Sequence, residues 1–306
     1  FIADRINLGA NLSVNLKGTA ALSLRTRNHG DIIISTNIVA NGRDNPTDDE
    51  GGVGRLGGWD GGKKQRDGQG PGKGKDRTQS NIGGGGGYGG PGWTNQNQWL
   101  THGLSYGDSK VTHLIGGSGG GGGGNKGGGA GGGAIELIAD RSGTITISTG
   151  GKISVNGGDT TETIGGGGAG AGGSIRLIGA SIVNNGTLEA SGMAITSDKN
   201  GGGGRIAFVS DGKLVVGTTN VTGFQPGTVS VLGNNEVNDL AFSTGTLFIN
   251  TTDGTWHHSD GKHGTGVISM GEDSGIPYGI CAYTFDSINL PAGLTVVLEG
   301  QNTLIL

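Results

Sequence analysis

The sequence has little of several residue types, and each shortage excludes a class of protein. Its 306 residues contain one Cys, Cys281, so no intrachain disulfide can form; a buried, unreactive thiol is the favoured interpretation of it. No apolar run approaches the roughly 18 residues that a membrane-spanning helix needs, which predicts no membrane span. A net charge of −4 argues against a basic nucleic-acid binder.

Proline is also scarce, with 6 residues, whereas glycine accounts for 73. Collagen is excluded because its strict Gly-X-Y period is missing. A helical protein is excluded because Gly costs about 1 kcal/mol per helical position relative to Ala. The apolar residues instead fall in short alternating or β-branched runs, such as Asp31–Ser35 and Thr144–Ile147. The sequence therefore predicts an all-β fold.

A short motif recurs along the chain, in which a Gly run leads into a strand. Residues 131–138 match residues 171–178 at an offset of 40, and residues 201–209 are a looser third copy. Recurring strand units at this period predict a solenoid, in which stacked coils bury a column of Ile, Leu and Val. A right-handed parallel β-helix fits best, because parallel crossovers are overwhelmingly right-handed.

The coils divide the chain into four predicted segments. Residues 1–42 supply the first coils, 43–133 are a Gly-rich insertion, 134–223 are coils with Gly-rich loops, and 224–306 are C-terminal β coils. The insertion has no strand pattern. A loop of about 90 residues in a compact domain is expected to have its own structure or function.

Nearly pure glycine tracts interrupt the coils at Gly83–Gly87, Gly119–Gly124, Gly127–Gly133, Gly165–Gly168 and Gly201–Gly204. They are either flexible loops or threefold helices of the polyproline-II type, whose N–H groups bond to carbonyls of neighbouring helices. Order is favoured, because the tracts are almost free of Ser, Glu and Lys and leave the coils at matching positions. The sequence thus predicts a polyglycine-II-like bundle beside the coils.

The chain ends as it begins. Residues 288–306 align without gaps to residues 6–24, at an offset of 282. Either all coils of a solenoid look alike, or the chain is one period of a tandem-repeat polypeptide or a head-to-tail polymer; the second interpretation is favoured. The start at Phe1 predicts an excised segment. The residues predicted to stack between repeats or subunits are Ile6, Leu8, Leu12, Leu16, Ile288, Leu290, Leu294, Leu298 and Leu304.

Four segments together carry a family resemblance: Phe285–Leu290, Tyr106–Gly120, Gly132–Ile138 and Gly201–Ala207. They resemble the Gly-rich β-solenoid segments of very large secreted and cell-surface bacterial proteins, which are autotransporter-like or carry C-terminal sorting signals. The resemblance covers most of residues 6–223 and the last 20 residues. It implies a solenoid fold and an extracellular or cell-surface location, and it implies no chemistry.

Two clusters have the residue types of metal ligands. His257, His258, Asp260 and His263 suit Zn or Cu, but their spacing matches no standard site. Asp44, Asp48, Asp49 and Glu50 suit Ca²⁺ but lack the Asp-x-Asp-x-Asp-Gly order. Solvated loops are the favoured interpretation of both clusters, so no cofactor is predicted and Ca²⁺ is the alternative.

The favoured function is structural: an extracellular repeat unit of a surface fibre or filament, which has itself as its partner. The first alternative is an adhesin whose Tyr88, Trp93 and Trp99 contact surface glycans. The second is a polysaccharide-processing β-helix enzyme, which needs clustered carboxylates on one face. The strands carry isolated acids, such as Glu136 and Glu189, so the sequence predicts no enzyme.

Overall fold

The computed structural model describes residues 1–76, 82–93, 102–140, 142–160, 166–193, 200–210, 212–232, 240–241, 244–252, 255–259, 263–265, 267–273, 276–282, 288–290, 292–301 and 303–305. The regular structure of these residues is entirely β-strand, which confirms the all-β prediction for them. The chain forms two compact units, Phe1–Leu232 and Gly233–Leu306. The predicted segments 1–42, 43–133 and 134–223 all lie in the first unit.

Short strands of the first unit form three parallel sheets. The first sheet contains, in spatial order, β1 (Ile2–Ala3), β3 (Leu22–Thr26), β6 (Ala134–Ile138), β9 (Ser174–Ile178), β12 (Arg205–Val209) and β15 (Thr228–Leu232). The second contains β2 (Ile6–Leu8), β4 (Ile32–Ile34), β7 (Thr144–Ile147), β10 (Ser181–Asn184) and β13 (Leu214–Val215). The third contains β5 (Asn37–Val39), β8 (Lys152–Ser154), β11 (Thr187–Glu189) and β14 (Thr218–Asn220). The chain therefore passes from sheet to sheet and returns to each sheet one strand further along.

The strand register places like residues side by side. The two motif copies that match at an offset of 40 pair directly, with Ile135 beside Ile175, and the third copy adds Ile206 next to Ile175. Because side chains alternate between the two faces of a strand, one face of each sheet carries a continuous apolar column. The columns form a single core that includes Leu22, Ile32, Ile38, Ile135, Ile145, Ile153, Ile175, Ile182, Leu188 and Ile206.

One predicted strand of the first unit is absent. Residues 12–16 alternate as a strand would, yet they form no ladder, and β5 is the edge strand of the third sheet. A side-chain bond fixes this segment to its neighbour, since the Thr36 hydroxyl donates to the carbonyl of Leu12 at 2.6 Å. A strand needs a paired backbone, and in the described part of the chain residues 12–16 belong to no sheet.

The second unit contains three small sheets. Their strands are β16 (Leu240–Ala241), β17 (Gly245–Asn250), β18 (Thr255–His258), β19 (His263–Thr265), β20 (Val267–Asp273), β21 (Ile276–Ala282), β22 (Ile288–Asn289), β23 (Leu294–Glu299) and β24 (Thr303–Ile305). β22, β23 and β24 pair in parallel with β16, β17 and β21, respectively. The repeated C-terminal segment thus lies strand for strand along earlier strands of its own unit. The buried apolar centre of the second unit is formed by Leu247 and Ile249 on β17.

Candidate functional site

The glycine-rich insertion contains a repeating pattern of backbone hydrogen bonds. In the tract 127–133, Gly128 and Gly131 donate to the carbonyls of Gly62 and Trp59, and Ala134 continues the series to Leu56. The intervening N–H groups bond to two other segments of the chain. Gly129 and Gly132 donate to the carbonyls of Gly168 and Ala171 in one segment. Gly127, Ala130 and Gly133 donate to the carbonyls of Asp48, Arg43 and Ala40 in the other. Every third residue thus bonds to the same neighbour, as in a threefold helix without internal bonds.

Two of the tracts form an antiparallel hairpin. Gly117, Gly120 and Gly123 donate to the carbonyls of Gly132, Gly129 and Lys126 at 2.9, 2.9 and 2.8 Å, in steps of three residues. We call the bonded network formed by tracts 116–133 and their neighbours the glycine lattice. Its strands of backbone lie so close that a Cβ at Gly131 would overlap the Gly117 carbonyl oxygen, and one at Gly170 would overlap that of Ala130. Close approach is therefore the reason for glycine at these positions.

A cluster of three side chains joins the insertion to the strands: Tyr88 and Arg205, which are buried, and Tyr106, which is partly buried. The two rings lie with centroids 4.9 Å apart, and the Arg205 guanidinium lies 5.3 Å from the Tyr88 centroid. Arg205 on β12 also donates to the Tyr106 carbonyl at 2.8 Å. The Tyr106 hydroxyl donates to Gly116 at 2.6 Å and accepts from Ser118 at 3.0 Å. These contacts join Tyr88, Tyr106 and Ser118 to β12 and to the lattice.

Burial sets the chemistry of these tyrosines. It raises the pKa of Tyr88 to about 12, against a weaker opposing effect of a hydrogen bond with Ser174. It also raises the pKa of Tyr106 far above its usual range. Both hydroxyls are therefore neutral at physiological pH and act as structural hydrogen-bonding groups. Tyr88 is 1% exposed, so its ring presents no surface on which a sugar could stack.

The other two predicted glycan contacts are placed differently. Trp93 is partly buried, and its backbone N–H donates to the carbonyl of Asn200 at 2.8 Å. Trp99 lies outside the described residues. Trp59, an aromatic residue of the Gly-rich region that was not among the predicted glycan contacts, is 40% exposed and lines a groove of about 370 Å³. Its backbone is part of the glycine lattice, because its N–H donates to Gly117 and its carbonyl accepts from Gly131.

The acidic cluster lies opposite cations of the insertion. Lys126, Lys64 and Lys63 lie 3.1, 3.7 and 2.9 Å from carboxylate oxygens of Asp48, Asp49 and Glu50, respectively. Asp44 accepts from the backbone N–H of Asp159 at 2.7 Å. Each predicted Ca²⁺ ligand thus has a cation or N–H partner, and the arrangement is that of paired surface charges.

The histidines of the predicted Zn or Cu cluster lie on two antiparallel strands of the second unit, β18 and β19. His257 on β18 is the cross-strand partner of His263 on β19, and the His257 ring stacks on Phe248 with centroids 4.7 Å apart. His258 is buried, and Asp260 lies outside the described residues. In the part of the chain that the structure describes, no group of three or more His, Cys, Asp or Glu could hold a metal ion.

Polar side chains cross-link neighbouring strands of the third sheet. Lys152 on β8 lies 2.7 Å from the carboxylate of Glu189 on β11, and Asn156 donates to the same oxygen at 3.0 Å. Partial burial opposes ionisation of Glu189, but the hydrogen bonds from Lys152 and Asn156 outweigh it and lower the pKa of the carboxyl. Glu189 is therefore an ion-pair partner, and not an acid poised for catalysis.

The predicted stacking residues are found at the two ends of the sequence in different surroundings. Ile6, Leu8 and Leu16 pack against the core of the first unit, whereas Leu12 is exposed. Leu294 and Leu304 pack against Leu247 and Ile249. Leu290 and Leu298 are exposed, and the side chain of Ile288 is not among those the structure describes.

Comparison with known proteins gives no relative. No family model, no curated protein and no solved structure matches the chain. Function is therefore argued from the residues themselves. Across the described ranges, the structure contains no helix that is long and apolar enough to cross a membrane.

Proposed function

We propose that the protein is a structural, extracellular repeat unit of a surface fibre. In this proposal the three parallel sheets are those of a right-handed parallel β-helix, and the glycine lattice is a bundle of polyglycine-II-like helices beside it. The protein needs no cofactor and catalyses no reaction; its partner is another copy of itself, as a tandem repeat or head to tail. Its mechanism is mechanical, since stacked coils form a hydrogen-bonded column.

The observation that carries the proposal is the repeated segment, residues 6–24 and 288–306, which is identical at 10 of 19 positions. Residues 6–24 and 288–306 both leave large apolar side chains exposed, among them Leu12, Leu290 and Leu298. Parallel sheets also present unpaired backbone groups at their outer strands, which favour pairing with another chain. A protein that exposes both features at matching coils is suited to end-to-end association.

Electron microscopy and light scattering over a concentration series test this function. Filaments with a regular axial repeat, and an apparent mass that grows with concentration, are expected. A single species of monomer mass at millimolar concentration, with no filaments in micrographs, would contradict the proposal. Acid-washed and untreated samples of the native material would show whether repeats are joined covalently, because only non-covalent fibres should dissociate.

The groove beside Trp59 supports glycan binding as a second candidate function. An exposed indole lies next to the carboxylate of Asp60 and the amide of Gln69, and these side chains can stack on and hydrogen-bond to a sugar ring. Asp60 is the one carboxylate among the residues that line the groove, which is fewer than a polysaccharide-processing enzyme needs.

Glycan-array binding tests this second function with a matched pair of variants. Trp59→Ala should abolish binding if the groove is the site, whereas Trp93→Ala should retain it. Binding that is unchanged by Trp59→Ala, or absent for the unmodified protein, would rule out the groove as a glycan site.

A further inference from the structure

Backbone hydrogen bonds hold together the segments that line the groove beside Trp59. The Trp59 backbone belongs to the glycine lattice, and the Gln69 N–H donates to the Asp60 carbonyl at 2.9 Å. Thr19, which also lines the groove, accepts from the Gly57 N–H at 2.6 Å. The groove is therefore preformed, so that a ligand has little of the chain to order when it binds.

Two further lining positions are glycines packed against other backbone. A Cβ at Gly54 would lie 2.2 Å from the Gly58 carbonyl oxygen, and one at Gly58 would lie 2.4 Å from that of Gly131. Real Cβ atoms do not approach backbone so closely. This part of the lining is therefore rigid backbone that carries no side chain.

The Trp59 indole is positioned by Gly70. A Cβ at Gly70 would lie 2.8 Å from Cδ1 and Cγ of the indole, so the ring rests against the Gly70 backbone on that side. The residue remains 40% exposed. A pyranose ring with equatorial hydroxyls has a flat face of C–H groups, and the negative face of an aromatic ring attracts such partly positive groups. The exposed part of the indole is thus suited to stacking on a sugar of this kind.

Asp60 brings a negative charge into the groove. Its Oδ1 accepts from the Gly54 N–H at 2.7 Å, which leaves Oδ2 to accept from a ligand. None of the ion pairs that the described residues form involves Asp60, and the other lining residues are uncharged. A ligand hydroxyl that donates to Oδ2 makes a charge-assisted hydrogen bond, whereas a carboxylate or sulfate in the same place meets a like charge.

We infer that the groove binds neutral pyranosides with equatorial hydroxyls and discriminates against acidic sugars. This inference rests on the glycan-binding function of the groove and names its ligand class. Trp59 stacks on the C–H face of the sugar, Asp60 Oδ2 accepts from one hydroxyl, and the Gln69 amide bonds to another. The groove volume of about 370 Å³ lies near the lower end of the range of about 300–1,000 Å³ for small-ligand sites, which suits one or two sugar rings.

Calorimetric titration of the full chain with two matched disaccharides tests the ligand class. Cellobiose and cellobiouronic acid differ in one group, because a carboxylate of the second replaces a CH₂OH group of the first. Cellobiose should bind at least about tenfold more tightly, since a like charge inside the groove opposes binding of the acid. Trp59→Ala should abolish the binding of both.

Asp60→Asn removes the charge and keeps an oxygen that can accept from the Gly54 N–H. The preference for cellobiose should then fall to within about twofold. Asp49→Asn is the matched control, because that carboxylate is exposed and lines no part of the groove, and it should retain the preference. In the unmodified protein, raising the salt concentration from about 0.01 to 1 M should also narrow the preference, since salt screens charge repulsion but does not relieve a steric clash.

Failure to bind cellobiose, equal affinities for the two disaccharides, or a preference that Asp60→Asn leaves unchanged would each overturn the ligand class. If Trp59→Ala still abolishes glycan binding in such a case, glycan binding at the groove stands with a different specificity. Glycan binding that Trp59→Ala leaves unchanged, by contrast, would contradict the function of the groove itself.

Discussion

The strand columns and the glycine lattice of the first unit are stabilised in opposite ways. Each column buries Ile, Leu and Val side chains, and such a side chain contributes about 1.5–3 kcal/mol when fully buried. The lattice buries almost no side chains and relies on backbone hydrogen bonds, each worth about 0.5–1.5 kcal/mol net. Because ordering glycine is entropically costly, we infer that the lattice depends on anchorage to the columns.

The comparison predicts that the lattice tolerates an added methyl group less well than the columns tolerate a deleted one. Gly131→Ala places a Cβ against the Gly117 carbonyl oxygen and should destabilise the protein by more than about 4 kcal/mol, because backbone cannot move aside. Chemical denaturation measures the change. Gly9→Ala is the control, since nothing lies within 4 Å of that position, and its effect should stay within about 0.5 kcal/mol. Similar values for the two variants would contradict a close-packed lattice.

A cavity in the columns should cost somewhat less. Ile145 is fully buried in β7, and Ile145→Ala should lower the free energy of unfolding by about 3 kcal/mol through lost burial and an empty volume. Ile145→Val, which removes one methylene, should cost about 1 kcal/mol. Calorimetry or denaturation gives both values. Equal stability of the Ala and Val variants would contradict tight packing around Ile145.

The junction between the two regions should show an intermediate effect. Tyr106→Phe removes a hydroxyl that donates to Gly116 and accepts from Ser118, and the loss should be about 1 kcal/mol. Hydrogen exchange should rise mainly in the lattice and not in the strands, because the anchor loosens the glycine side. In a double-mutant cycle with Ser118→Ala, additive effects would show that the two hydroxyls do not interact.

The smallest effect is expected at the partly buried ion pair between β8 and β11. The hydrogen bonds from Lys152 and Asn156 lower the pKa of Glu189, so its stabilisation is present above the unfolded pKa of about 4.3 and is lost as pH falls through the lower folded value. Glu189→Gln should cost less than about 1 kcal/mol at pH 7, and the cost should shrink steadily as pH falls below the unfolded pKa of about 4.3. Denaturation over this pH range, with Lys152→Met as the partner control, checks this. A cost that is independent of pH would contradict the ion-pair explanation.

The columns could be predicted from the sequence because side chains specify them. The offset of 40 between residues 131–138 and 171–178 is the register in which Ile135 and Ile175 pair. Alternating apolar residues and Gly-led starts identified β6, β9 and β12. Residues 12–16 have the same pattern but belong to no sheet among the described residues, because an alternating pattern specifies the faces of a strand and not its pairing partner.

The candidate sites could be predicted less well because they depend on contacts between distant residues. Nothing in the pattern around Tyr88 indicates that Arg205 covers its ring, and the pairing of Asp48 with Lys126 joins residues 78 positions apart. Trp59 was one of several tryptophans in a glycine-rich stretch. Glycine tracts carry no side-chain period, so their neighbours in the lattice could not be deduced from sequence.

The hairpin formed by residues 117–132 has a consequence for how the chain can change in length. Its bonds join Gly117 to Gly132, Gly120 to Gly129 and Gly123 to Lys126, so the pattern repeats after three residues in each arm. Adding three glycines to both arms would extend the hairpin and keep the register of the bonds between its two arms. Adding one or two would shift every donor away from its acceptor. Natural length variation in such tracts is therefore expected to proceed in multiples of three.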